Sequence, residues 1–203
     1  MSDDTRLGDA TAGEDVSDLV LSTLSDRRAR NAAELETITR AYNKYIFRAR
    51  RRKPGTGWLT EDVICCVHRE MFGGIWAWAG KFRTVEVNIG VKWHTIPEQV
   101  RLLCDDFKYW DSPDSAMSVF EVAARLQNRL TRIHPFKNGN GRHARLMTDI
   151  FFYSRRHALP QWPQLQLMIQ GDQIRQEYIA AMKKADGDDY SGLMAFIQRC
   201  CEK

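Results

Sequence analysis

With 203 residues, 43% of them apolar, the chain is long enough for one well-buried domain and short for two, so one folded domain is expected. No uninterrupted apolar run approaches the roughly 20 residues of a membrane span, and the acidic start lacks the basic and apolar regions of a signal peptide; a cytoplasmic protein without a membrane partner is expected. The net charge of +4 is uneven: residues 1–18 hold Asp3, Asp4, Asp9, Glu14, Asp15 and Asp18 against one arginine, so the remainder is more basic and suits polyanionic ligands such as nucleotides. Five cysteines, Cys65-Cys66, Cys104 and Cys200-Cys201, make an odd count without C-x-x-C spacing, which predicts free thiols in a reducing compartment. Cys65 and His68 lie three apart but lack further ligands at finger-like spacing, so they are read as structural rather than metal-binding.

In chain order, residues 1–16 carry too few large apolar groups to offset their ordering entropy and are expected to be a disordered acidic arm. Leu35, Ile38, Tyr42, Tyr45 and Ile46 fall on one face of a helix from about 31 to 50, within a helical N-terminal extension placed at 17–55. It closes on the basic run Arg48 to Lys53, whose cations suit a helix C-terminus; this reading is preferred to nucleic-acid binding. Thr60 is a predicted N-cap for a second helix with Val63, Ile64, Val67 and Met71, ending at Gly73-Gly74, and Trp76 and Trp78 beyond it are assigned to the core.

Val85, Val87, Ile89 and Val91 alternate with Thr84, Glu86, Asn88 and Gly90, the period-2 pattern of an extended segment lying on the helical body. A free edge there can receive a substrate peptide by strand addition, and a capped structural flap is the equal alternative. Pro97 suits the start of a helix with Val100, Leu103 and Phe107. Helical stripes then run through Val119, Ala123, Leu126, Leu130 and Ile133, through Leu146, Met147, Ile150 and Tyr153, and near 171–185 and 190–201. The fold class expected is mainly α with one β interruption.

Between two of these helices lies His134-Pro-Phe-Lys-Asn-Gly-Asn-Gly-Arg-His-Ala-Arg145. Gly139, Asn140 and Gly141 precede a helix whose first N–H groups point back toward the loop, making a cup for an anion, with phosphate its natural occupant. Arg142 and Arg145, three apart near the start of that helix, can take further phosphate oxygens. His134, closing the preceding helix, can accept a proton from a hydroxyl near neutral pH.

This stretch resembles the signature of the Fic family (Fic/Doc, or Fido, fold), H-P-F-x-D/E-G-N-G-R-x-x-R, and departs from it only at Asn138. Phe72 to Arg83, Phe-Gly-Gly-Ile-Trp-Ala-Trp-Ala-Gly-Lys-Phe-Arg, is similar to the family's approach to its flap, and the similarity spans about 60–200, within a catalytic domain placed at 56–203. Loop wording, flap and length look most like the bacterial branch called mobile mystery protein B. The resemblance implies a helical domain with a β-hairpin flap over the active loop, and transfer of AMP from ATP to a protein Ser, Thr or Tyr hydroxyl with release of pyrophosphate. His134 would be the base, Gly139, Asn140 and Gly141 would hold phosphates, and Arg142 and Arg145 would neutralise the leaving group. Phe136 would anchor the loop. Lys81, Phe82, Arg83, Thr84, Val85, Glu86, Val87, Asn88 and Ile89 would form the flap that docks the target.

Asn138 stands where the family places an acidic Mg²⁺ ligand; a carboxamide would hold Mg²⁺ weakly or through water. This leaves two alternatives open: a catalytically weakened nucleotide-binding regulatory protein, and an enzyme using another nucleotide or phosphate donor. For restraint, Glu34 and Glu36 are the acids placed to reach Arg145 in cis, beside a separate antitoxin-like inhibitory protein. A metal-dependent nuclease built on His134, Asn140 and His143 is disfavoured, because such sites use a hairpin before a helix whereas His134 closes one.

Overall fold

The computed structural model describes residues 16–20 and 26–202, and the expected disordered arm at 1–16 lies outside them except for Val16. The described residues form eight α-helices: α1 (Arg27–Ala49), α2 (Glu61–Phe72), α3 (Ile96–Trp110), α4 (Val119–Ile133), α5 (Asn140–Ser154), α6 (Gln164–Met168), α7 (Gln173–Ala185) and α8 (Ser191–Cys201). Their starts are set by side chains that accept from orphan N–H groups. Asp26 accepts from Ala29 N at 2.8 Å, Thr60 from Val63 N at 3.2 Å and Ser118 from Glu121 N at 3.1 Å. Pro97 lies in the first turn of α3, where its missing N–H costs nothing.

The centre of the domain is the pair α4 and α5, which share the most extensive packing. The stripe Val122, Ala123, Leu126, Leu130 and Ile133 is buried on α4, as are Leu146, Met147, Ile150 and Phe151 on α5. Around them α3, α7 and α8 cover α4, while α1 crosses α2 and α5. Thr37 Oγ1 donates to Met71 O at 2.7 Å, fixing α1 to the end of α2. Burying a large aliphatic or aromatic side chain is worth about 1.5–3 kcal/mol, so this stripe holds the ends of α4 and α5, and the loop between them, in fixed register.

Ahead of α1, residues 16–20 form a 3₁₀ turn and an isolated antiparallel bridge, Leu19 to Trp76, rather than the start of a helix. Trp76 is buried and stacks on half-buried Trp78, as expected of core aromatics. The basic run packs partly on rings: Arg50 lies over Tyr153 and Arg52 over Trp58. The short α6 had no periodic signal, since five residues are too few to show one. No described helix is long and apolar enough to cross a membrane.

The alternating segment departs from its pattern. Between Lys81 and Lys92 the described backbone forms no strand or ladder. Val87, Ile89 and Val91 are half-buried while Glu86, Asn88 and Gly90 are exposed, so the alternation survives as burial, although Val85 is exposed. Its carbonyls are tied by a side chain instead of by a partner strand: Arg83 donates from Nη1 to Val85 O at 2.9 Å and from Nη2 to Val91 O. The pleated pattern thus marks which side chains face the body without requiring hydrogen bonding across a hairpin.

Candidate active site

His134 is the C-cap of α4 and adopts a left-handed conformation, φ 51° and ψ 60°. A non-glycine residue in this region costs roughly 1–2 kcal/mol and is kept only where its surroundings enforce it. Here they do. His134 N donates to Leu130 O at 3.2 Å, and its carbonyl accepts from Arg83 Nε at 2.8 Å. Arg83 N donates to Pro135 O at 2.9 Å, so Arg83 holds the carbonyl of the histidine and the one after it. At Gly90, with φ +101°, an added Cβ would stand 2.6 Å from His134 Cβ and 3.1 Å from Ile133 O; only glycine lets the flap pass this close.

The anion cup is closed by Asn140. Its Oδ1 accepts from Phe136 N at 2.9 Å and its Nδ2 donates to Phe136 O at 2.8 Å. Its carboxamide is therefore a loop staple, which leaves its backbone N–H as the donor free to face the cup. Phe136 is fully buried, as its anchoring role requires. Gly139 caps α5 at φ +75°, and a Cβ there would meet the Phe72 ring at 2.6 Å. The first intrahelical bond of α5 is His143 N to Gly139 O, so the N–H groups of Asn140, Gly141 and Arg142 precede the ladder and lie at the positive end of the helix dipole. His143 itself is buried, bonds Ile64 O at 3.1 Å, and is pushed down to about 3 by desolvation, so it is neutral. The histidines and asparagine of the nuclease reading are thus spent on separate tasks.

Arg142 and Arg145 diverge. Arg142 Nη1 donates to Glu34 Oε2 at 2.6 Å and its guanidinium lies over Phe72, while Glu34 Oε1 accepts from Trp76 Nε1 at 2.6 Å. Glu34 is buried and Glu36 is exposed. The acid of α1 therefore reaches the first arginine of the loop, not Arg145 as expected, because Trp76 fixes its carboxylate from the other side. Arg145 is buried and donates from Nη2 to Gln164 Oε1 at 3.0 Å, a contact with α6 that the sequence does not announce.

Asn138, the expected weak Mg²⁺ ligand, turns its Oδ1 onto Gly139 N at 2.6 Å. Among the described residues there is no group of three or more His, Cys, Asp or Glu that could hold a metal. One neutral oxygen already engaged by Gly139 N offers a divalent cation less than a free carboxylate would. Next to Asn138, Lys137 pairs with Asp18.

Of the residues expected to dock a target, Arg83 is buried as the flap's tie, and Phe82 is half-buried against Phe136. Lys81, Thr84, Val85, Glu86 and Asn88 are exposed, and Val87 and Ile89 half-buried. Beyond the flap a cavity of about 510 Å³ opens between Asn88 to Val91, Thr131 and Arg132 at the end of α4, and Met182 and Asp186 of the α7 end.

His68 reads from sequence as structural, but its two backbone contacts, and the environment of Asp149, are not announced there. His68 lies fully buried behind the loop, with Nε2 3.0 Å from Asn138 O and Nδ1 accepting from Gly80 N at 2.9 Å. Its place on the apolar face of α2, one turn from Phe72, was the available signal. Asp149, one turn beyond Arg145, accepts from Trp162 Nε1 at 2.7 Å, and desolvation pushes it up to about 8. A folded-state value above the unfolded one near 3.9 means the native state holds the extra proton. Stability is then full below about pH 4 and declines as pH rises toward 8. Asp149→Asn, which keeps an acceptor for Trp162, should raise the melting temperature more at pH 8 than at pH 5. Thermal denaturation at the two pH values measures this; an equal change at both contradicts it.

Residues 58–152 match the model of the Fic/DOC family. The chain is 30% identical over 148 residues to protein adenylyltransferase Fic of Drosophila grimshawi and 31% identical over 144 residues to protein adenylyltransferase fic-1 of Caenorhabditis briggsae. Those matches take in 71% and 70% of this chain but 29% and 27% of the relatives, so the chain spans less than a third of the length of these curated proteins. In fold it is similar to Fic-1 from C. elegans, with a TM-score of 0.64 at 23% identity, covering 92% of this chain and 52% of that one. A Fic domain signaling protein from Bacteroides thetaiotaomicron gives a TM-score of 0.67 at 18% identity over 83% and 68% of the two chains.

Proposed function

We propose that this chain is a protein adenylyltransferase, transferring AMP from ATP to a Ser, Thr or Tyr hydroxyl of a target protein. The observation that carries the reading is the placement of His134, locked in its left-handed turn by Arg83, immediately before a cup formed by the start of α5. The imidazole takes the proton of the target hydroxyl, the oxygen attacks the α-phosphorus, and the bond to pyrophosphate breaks. The α5 N–H groups and Arg142 stabilise the phosphates as charge develops. Exposed flap residues Thr84, Glu86 and Asn88 receive the target as an added strand, a mode supported by the inward–outward alternation from Glu86 to Gly90.

Restraint comes in cis from Glu34, which neutralises Arg142; a separate inhibitory protein acting at the same arginine is the second route we propose. The likeness of the loop and flap wording to mobile mystery protein B supports a bacterial, toxin-like member working in the cytoplasm.

Incubation with ATP labelled at the α or the γ phosphate and a bacterial lysate tests the reaction. Label from α-labelled ATP alone on a protein band supports AMP transfer, whereas γ-label indicates phosphorylation. At Asn138 an aspartate adds the missing charge, so Asn138→Asp should raise transfer and lower the Mg²⁺ concentration that half-saturates it. Unchanged transfer across a Mg²⁺ titration counts against this account of position 138.

A further inference from the structure

We propose that His68 is a positioning residue of this site: as the Nε2–H tautomer it ties the carbonyl of Asn138 in the active loop to the amide of Gly80 at the root of the flap. The tautomer follows from hydrogen-bond chemistry. A backbone N–H only donates, so the Nδ1 that meets Gly80 N at 2.9 Å is an unprotonated acceptor. A neutral imidazole then carries its hydrogen on Nε2, which donates to Asn138 O at 3.0 Å.

The ring is confined on every side. It stacks on Phe136 with centroids 3.7 Å apart and planes 13° from parallel, and Phe72, Trp78 and His143 border it. Both backbone segments it holds are pressed against α2. A Cβ on Gly139 would lie 3.4 Å from His68 Nε2, and one on Gly80 would lie 2.8 Å from Cys65 O. One helical residue thus sets the floor of the nucleotide cup and the take-off point of the segment that Arg83 ties to His134. A satisfied core histidine without this role would contribute packing alone, and its replacements would act uniformly.

The proposal rests on the adenylyltransferase reading only for what the cup binds, and two substitutions separate its arms. His68→Gln places an amide N–H near the Nε2 position and gives up the Nδ1 acceptor. His68→Asn places an amide oxygen near the Nδ1 position and cannot reach the loop. Residue-resolved amide hydrogen exchange should show the Gly80 amide deprotected in His68→Gln with the hydrogen-bonded loop amides of Phe136, Gly139 and His143 unchanged. In His68→Asn the pattern should reverse. Calorimetry with Mg·ATP should give a dissociation constant about 3- to 10-fold higher for His68→Asn, the equivalent of one lost hydrogen bond, and little change for His68→Gln.

Equal deprotection of both segments by both substitutions, or of neither, overturns the proposal. So does a long-range ¹H–¹⁵N NMR correlation of the wild type that finds the His68 hydrogen on Nδ1, a measurement that stands even where a variant fails to fold. If the wild type binds no ATP, the adenylyltransferase reading fails, while the exchange pattern and the tautomer still judge the tie itself.

Discussion

His134→Ala should lower AMP transfer roughly a hundredfold to ten-thousandfold, the usual contribution of a positioned general base, while Mg·ATP binding stays within about twofold. The separation follows from the geometry. The base stands at the end of α4, whereas the N–H donors stand at the start of α5 and depend on Gly139 and on the Asn140 staple. A glycine at the same position makes a sharper test. His134 holds a left-handed conformation that glycine enters without penalty, so His134→Gly should lose transfer equally and yet gain about 1 kcal/mol of stability. Transfer kinetics and thermal denaturation on the two variants check this. A transfer-dead glycine variant that melts below wild type would show that His134 side-chain contacts outweigh the strain.

Glu34→Gln should raise AMP transfer about 10- to 100-fold, the range expected when a charge-assisted bond of roughly 1.5–3 kcal/mol no longer holds Arg142 away from phosphate. Glutamine is the informative choice. Its amide oxygen can still accept from Trp76 Nε1, so the junction of α1 with the 75–77 turn persists while the charge is removed. Alanine would leave a buried indole N–H and a guanidinium without this partner and would confound release with destabilisation. Both atoms of the pair are largely shielded, Arg142 at 16% and Glu34 at 8% side-chain exposure, so salt should activate the wild type only weakly. Steady-state transfer with α-labelled ATP measures the effect; a fall in activity would assign Glu34 to substrate binding rather than restraint.

The helices and the chemistry of the loop were legible in the sequence because both are local. The stripe on α4, the caps at Thr60 and Ser118, and the glycines around Asn140 follow from spacing and from the hydrogen-bonding needs of helix ends. His134 closes α4 and Gly139 caps α5, as the spacing predicted. The flap was legible only by half: the alternation of 86–91 set which side chains turn inward, but its hydrogen bonds go to Arg83 and to the end of α4 rather than across a hairpin.

What the sequence by itself determined, then, is a mainly helical domain with a histidine and a glycine-rich helix start joined in one loop. The partners of that loop were decided by tertiary structure alone. Glu34 lies 108 residues from Arg142, and His68 lies 70 from Asn138. No periodicity links such positions, because their meeting depends on how α1 and α2 cross α5. Packing also reassigned two side chains: Asn140 to stapling Phe136 and Arg83 to gripping His134. A buried polar group must find a partner, and in a close-packed interior the nearest backbone supplies it.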